Sequence, residues 1–233
     1  MRAWQPRMFS QKLAKWCARK NILIKKDLLE LARGPAMSGT IRSFVAFDID
    51  NERVVSRLSE VQGMLVNTGA DLKLVKPQNI HVTMRFLGNI SLPMVDLIHE
   101  EIKQIFFSSF TIELRGLGAF PSLGYARVVW AGIRKGANEL ANVFDQLEPR
   151  LRRLGFKPDS KGFSPHLTIA RVRTGRHKAE LIRCVEDLAD YEFGVINADY
   201  LRLKKSVLTP KGPIYTTLRE VRVGQKTNTE KNS

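Results

Sequence analysis

His81-Val82-Thr83-Met84 and His166-Leu167-Thr168-Ile169 are one four-residue pattern written twice, 85 residues apart. Each copy reads His, apolar, Thr, apolar. Alternation of this kind belongs to a half-buried strand. It places His and Thr on the same face, because strand side chains repeat every two residues. Two imidazoles, each with a hydroxyl beside it, arm a site built from two halves.

Working outward, the same offset returns. Ile41–Phe47 reads as a buried strand, and so does Ala126–Gly132. Residues 51–67 read as a helix through Val54, Val55, Leu58, Val61 and Leu65. At the same offset, residues 136–154 read as a helix through Leu140, Val143, Phe144, Leu147 and Leu151. A helix follows each His-x-Thr strand: one capped at Ser91 with Pro93 in its first turn, the other over 178–189. Further strands are expected at 110–117, 192–197, 200–208 and 214–223, with a turn at Thr209-Pro210-Lys211-Gly212-Pro213. This order predicts an α+β protein of two related halves, about 41–117 and 126–208. The expected architecture is two antiparallel sheets flanked by helices. Related halves pack about a pseudo-two-fold axis, so the two His-x-Thr strands are expected to face each other across a cleft.

Composition narrows the chemistry. The chain has 233 residues and a formal charge of +15, an excess that favours polyanionic partners, nucleic acid first. No apolar run is long enough to span a bilayer. The two cysteines, Cys17 and Cys184, form no ligand-spaced pair, which argues against a disulfide framework and for a reducing, cytoplasmic setting. Residues 1–36 hold nine Lys or Arg against Asp27 and Glu30 and read as a separate basic extension, with translation expected to begin at Met37. The last stretch, 224–233, reads as a polar tail, leaving 37–223 as the domain.

A cyclic phosphodiester is opened by one base on water and one acid on the leaving oxygen. Histidine suits both, because its ordinary pKa near 6.5 leaves either form available. Hydroxyls and cations stabilise the charge that gathers on the non-bridging oxygens. His81 and His166 are therefore the expected catalytic pair. His99 and His177 read as surface residues. Neither motif has a carboxylate or third histidine at ligand spacing, so no metal and no cofactor are expected. Arg85 shares the face of His81 and Thr83 if its strand runs on unbroken.

At these residues the chain resembles the 2H phosphoesterases. More narrowly, it resembles the RNA 2′,3′-cyclic phosphodiesterases, also called 2′-5′ RNA ligases, of archaea and bacteria. The likeness runs from about Thr40 to Leu218. It includes Arg42-Ser43-Phe44-Val45-Ala46-Phe47-Asp48, Gly118-Ala119-Phe120-Pro121-Ser122, Phe163-Ser164-Pro165 ahead of the second motif, Ala170-Arg171-Val172 after it, and Leu208–Tyr215. The resemblance implies a bilobal fold with the active site between lobes. It implies His81 as general acid and His166 as general base, with a 2′-phosphomonoester as product. It also implies that Thr83 and Thr168 bind phosphate oxygens and that Arg171 grips phosphate or stacks on a base. The expected partners are RNA with 2′,3′-cyclic phosphate ends and cyclic nucleotides, with no membrane and a monomeric chain. The competing expectations are 2′-5′ ligation of RNA ends through the same residues, and an RNA-binding protein without turnover.

Overall fold

The computed structural model describes residues 39–159 and 162–222. The basic extension and the polar tail expected from the sequence lie outside the described residues, as does Cys17.

The first half runs β1 (Thr40–Asp48), α1 (Glu52–Asn67), β2 (Leu72–Leu74), β3 (His81–Ser91), α2 (Leu92–Lys103) and β4 (Phe110–Phe120). The second runs β5 (Val128–Lys135), α3 (Ala137–Arg153), β6 (Leu167–Val172), α4 (Lys178–Asp187), β7 (Glu192–Ala198), β8 (Tyr200–Thr209) and β9 (Gly212–Arg222). Ala137 stands 85 residues after Glu52, and Lys178 stands 86 after Leu92, so the repeat in the sequence is also a repeat of elements. The helices form where apolar residues recur at helical spacing. In α1 these are Val54, Leu58, Val61 and Leu65, all buried, and Asn51 caps the first turn by accepting from the Arg53 and Val54 N–H groups. Pro93 opens α2, where its missing N–H costs nothing.

The strands order as β7-β4-β5-β6-β3-β1-β8-β9, all neighbours antiparallel, with β2 paired to β6. The two sheets of the halves meet at one pair, Val82 opposite Leu167, and so run on as a single nine-stranded sheet. Halves counted along the chain are not halves in space. β4 leaves the first half to pair with β5, and β8 leaves the second to pair with β1. The helices cross over too: α1 packs on β7 and α4, and α3 packs on α2 and β3. One continuous apolar cluster, from Val45 through Leu147 to Leu203, fills the space between sheet and helices. The opposite face of the sheet is left open, and there the two His-x-Thr strands lie side by side.

Candidate active site

His81 opens β3 and His166 immediately precedes β6. Each is held by the same local device. The Nδ1 of His81 lies 2.8 Å from the Asn79 carbonyl, and the Nδ1 of His166 lies 2.7 Å from the Ser164 carbonyl. A carbonyl only accepts, so each Nδ1 carries its hydrogen and each Nε2 keeps its lone pair or takes the mobile proton. The Asn79 side chain donates to the Pro213 carbonyl at 2.8 Å, which ties the turn before His81 to the start of β9.

Both strands then bulge in the same way. Thr83 lies opposite Ala46, but Arg85 lies opposite Val45 and Phe86 opposite Phe44, so Met84 is an extra residue on β3. Thr168 lies opposite Trp130 and Ala170 opposite Val129, so Ile169 is an extra residue on β6. A bulge of one residue switches every later side chain to the other face. Arg171 therefore joins His166 and Thr168 in the cleft, three residues after the threonine. At the equivalent place stands Phe86, three residues after Thr83, lining the same cleft and 59% exposed. Arg85, which an unbroken strand would place beside His81, is turned to the helix side. Its Nε sits 2.9 Å from Glu148 of α3, and its guanidinium also donates to the Lys157 carbonyl. The unbroken strand that Arg85 required is not present.

The cleft encloses about 440 Å³ and is lined by His81, Thr83, His166, Thr168 and Arg171 together. His81 is walled by Phe44, stacked at 4.7 Å, and by Tyr215, edge-on at 5.3 Å. His166 is walled by Phe120, edge-on at 4.9 Å, and by Trp130. Gly118 makes room for that wall: a Cβ there would sit 2.2 Å from the Trp130 ring. Enclosure disfavours the charged imidazole and pushes His81 down to about 4, with Lys204 and His166 adding to the effect. The hydrogen bond to Asn79 and the charge of Asp48 oppose it. Asp48, opposite His81 across the β1–β3 pairing, pairs with Lys204, and Arg202 joins Asp48 at 3.2 Å. Tyr215 is raised by burial, against the pull of Arg171 and Arg42.

Gln62 of α1 is buried and donates to two carbonyls, Val75 at 2.7 Å and Ile169 at 2.8 Å. Ile169 is the bulged residue, so the helix fixes the second bulge and the strand β2 beside it. Sequence reasoning missed Gln62, Asn79, Phe86, Tyr215 and the cations Arg42, Lys73, Lys76 and Lys211 that rim the cleft. His99 lies on α2 and His177 precedes α4, both outside the cleft as expected. Among the described residues no cluster of three metal-binding side chains occurs, and no helix is long and apolar enough to cross a membrane.

The family model for LigT like Phosphoesterase matches the chain twice, over residues 49–130 and 132–215, one match to each half. The chain belongs to the LigT-like phosphoesterase family. Its relatives within that family include the RNA 2′,3′-cyclic phosphodiesterase of Aeropyrum pernix, 41% identical over 72% of this chain and 96% of that one. That of Archaeoglobus fulgidus is 38% identical over 77% of this chain and 98% of its own. Among solved structures, Escherichia coli LigT complexed with 3′-AMP superposes with a TM-score of 0.65 at 21% identity. It covers 80% of this chain and all of LigT, which makes the LigT-like fold common to both.

Proposed function

We propose that this LigT-like phosphoesterase hydrolyses the 2′,3′-cyclic phosphate ends of RNA to 2′-phosphomonoesters. One observation carries the reading. Two histidines, each with Nδ1 committed to the carbonyl two residues back, line one cleft together with Thr83 and Thr168, and each keeps Nε2 for proton transfer. The relatives named as RNA 2′,3′-cyclic phosphodiesterases supply the substrate class.

In this reading His166 Nε2 takes a proton from water as the water oxygen bonds to phosphorus. The bond from phosphorus to O3′ breaks, and His81 Nε2–H gives its proton to that oxygen. The product keeps phosphate on O2′ and gains a 3′-hydroxyl. Thr83, Thr168 and Arg171 meet the non-bridging oxygens, where charge builds up. Phe86 offers its ring to the terminal base. Both proton transfers come from side chains, so turnover is expected to persist in excess chelator.

The lowered pKa of His81 favours a second reading, in which the two roles are exchanged. A histidine that titrates near 4 is neutral at pH 7, the form a base needs. As acid, His81 needs the bound phosphate anion to raise it. An activated leaving group separates the two orders, since 4-nitrophenolate departs without a proton. Hydrolysis of a 4-nitrophenyl phosphodiester is expected to survive His81→Ala and to fall with His166→Ala. The opposite pattern would assign His81 as base. Wild-type protein with no turnover of a 2′,3′-cyclic nucleotide or a cyclic-ended oligonucleotide would defeat both orders.

A further inference from the structure

The cleft carries more positive charge than one cyclic phosphate can use. A cyclic phosphodiester is a monoanion, and Arg171 already stands beside the two threonines. Four further cations line the same cleft: Arg42, Lys73, Lys76 and Lys211, all exposed. Among the described residues none of the four is in an ion pair, and no Asp or Glu lines the cleft. Several cations elsewhere are held differently. Arg115 grips Asp190 and Glu192, Arg202 grips Asp48, Asp50 and Glu220, and Arg219 grips Asp96. Gathered cations without counter-charge repel one another, and a polyanion relieves that repulsion.

The four stand on two banks. Lys73 lies opposite Arg171 across the β2–β6 pairing, and Lys76 follows at the end of β2's loop. Arg42 sits on β1 two residues before Phe44, and Lys211 sits in the turn between β8 and β9. Both banks have a fixed backbone. Val75 N–H and Gln62 bond the Ile169 carbonyl on one side. On the other, Thr209 Oγ1 bonds the Gly212 carbonyl at 2.6 Å, and Asn79 holds Pro213. A backbone fixed before binding loses little order when a ligand arrives. Leu208, 67% exposed, adds an apolar face at the mouth beside Lys211.

The geometry points to a strand-binding subsite. Arg42, Lys73, Lys76 and Lys211 take the phosphates of nucleotides on the 5′ side of the reacting end. A cyclic-ended RNA strand is then preferred over a cyclic mononucleotide. The assignment rests on the phosphodiesterase reading above for the identity of the reacting end.

The test compares a 2′,3′-cyclic mononucleotide with a cyclic-ended tetranucleotide on wild type, Lys73→Ala/Lys76→Ala and Arg42→Ala/Lys211→Ala. In each double variant the ratio of kcat/KM, tetranucleotide over mononucleotide, is expected to fall by about tenfold. In wild type the same ratio is expected to fall about sevenfold when salt rises from 50 to 200 mM, the value for two extra single-strand phosphate contacts. A ratio that ignores both the substitutions and the salt would overturn the subsite. Fluorescence anisotropy of a tetranucleotide ending in a 2′-phosphate reads the same contacts without turnover, and its Kd is expected to rise about tenfold in each double variant. Binding of this kind without hydrolysis keeps the subsite and removes the phosphodiesterase reading. Hydrolysis with no length preference does the reverse.

Discussion

The strands β3 and β6 are the same piece of structure used for two different ends. Each starts at, or directly after, a histidine tied to the carbonyl two residues back. Each places a threonine beside it, bulges by one residue, and returns a side chain to the cleft five residues after the histidine. On β6 that side chain is Arg171, and on β3 it is Phe86. The surroundings differ as well. Phe44 stacks on His81 and Tyr215 meets it edge-on, with Asp48 of the Asp48–Lys204 pair opposite it on β1, whereas Phe120 and Trp130 frame His166. A shared backbone fixes where the two halves act. In the proposed reading the side chain five residues on sets what each half does: a cation for phosphate on one side, a ring for a base on the other.

The largest test of this comparison removes the histidines. His81→Ala and His166→Ala are each expected to lower kcat on a cyclic-ended RNA by about 10²–10⁴-fold. In the proposed mechanism the pair acts as a unit, so the double variant is expected to lose little more. Losses that multiply fully would mean that the two histidines contribute independently of each other, which steady-state rates on all three variants would reveal.

The positions five residues on come next. Phe86→Ala is expected to raise KM for a cyclic nucleotide by about tenfold with kcat held, as loss of one base stack requires. Arg171→Ala is expected to lower kcat, since it removes charge from the reacting phosphate. Identical kinetic signatures in the two variants would erase the division of labour between the strands.

Gln62→Leu probes how the second bulge is held. The Val75 carbonyl loses its partner and Ile169 loses one of two, so denaturant unfolding is expected to show a loss of about 1–3 kcal/mol. A neutral result would show that the bulge holds itself.

A last effect is in pH. His81 titrates at about 4 when folded and near 6.5 when unfolded. The unfolded chain therefore binds the proton first, and this residue costs stability as pH falls from about 6.5 to 4. His81→Asn is expected to flatten that part of the stability curve, measured by urea unfolding at pH 4, 5.5 and 7. An unchanged slope would place the acid sensitivity elsewhere.

Much of the fold was legible because it is written in periodicity. Val54, Leu58, Val61 and Leu65 define a helix wherever they stand, and the 85-residue offset carried the reading from one half to the other. The histidines and threonines were legible because they share a strand face at a spacing of two. The bulges were not. Nothing in Met84 or Ile169 marks an extra residue, so period two sent Arg85 to the cleft and left Phe86 out. β2 was missed because three residues, Leu72–Leu74, are too few to show alternation. Its lysines were missed with it. Asn79 and Gln62 act through contacts 134 and 107 residues away in sequence, which no local pattern announces.

The crossing of β4 and β8 between halves has a consequence for the joint that links them. Residues 122–125, between β4 and β5, are mostly exposed, and no strand passes through them. A cut there would not release two half-enzymes. It would leave two fragments, one holding β4, which pairs only with strands of the other, and one holding β8, which covers β1 of the other, as in a pair of protomers that have traded arms. The covalent link then serves mainly as a tether, keeping each fragment in the other's presence at millimolar effective concentration. Assembly of the two-histidine cleft and folding of the chain become one event.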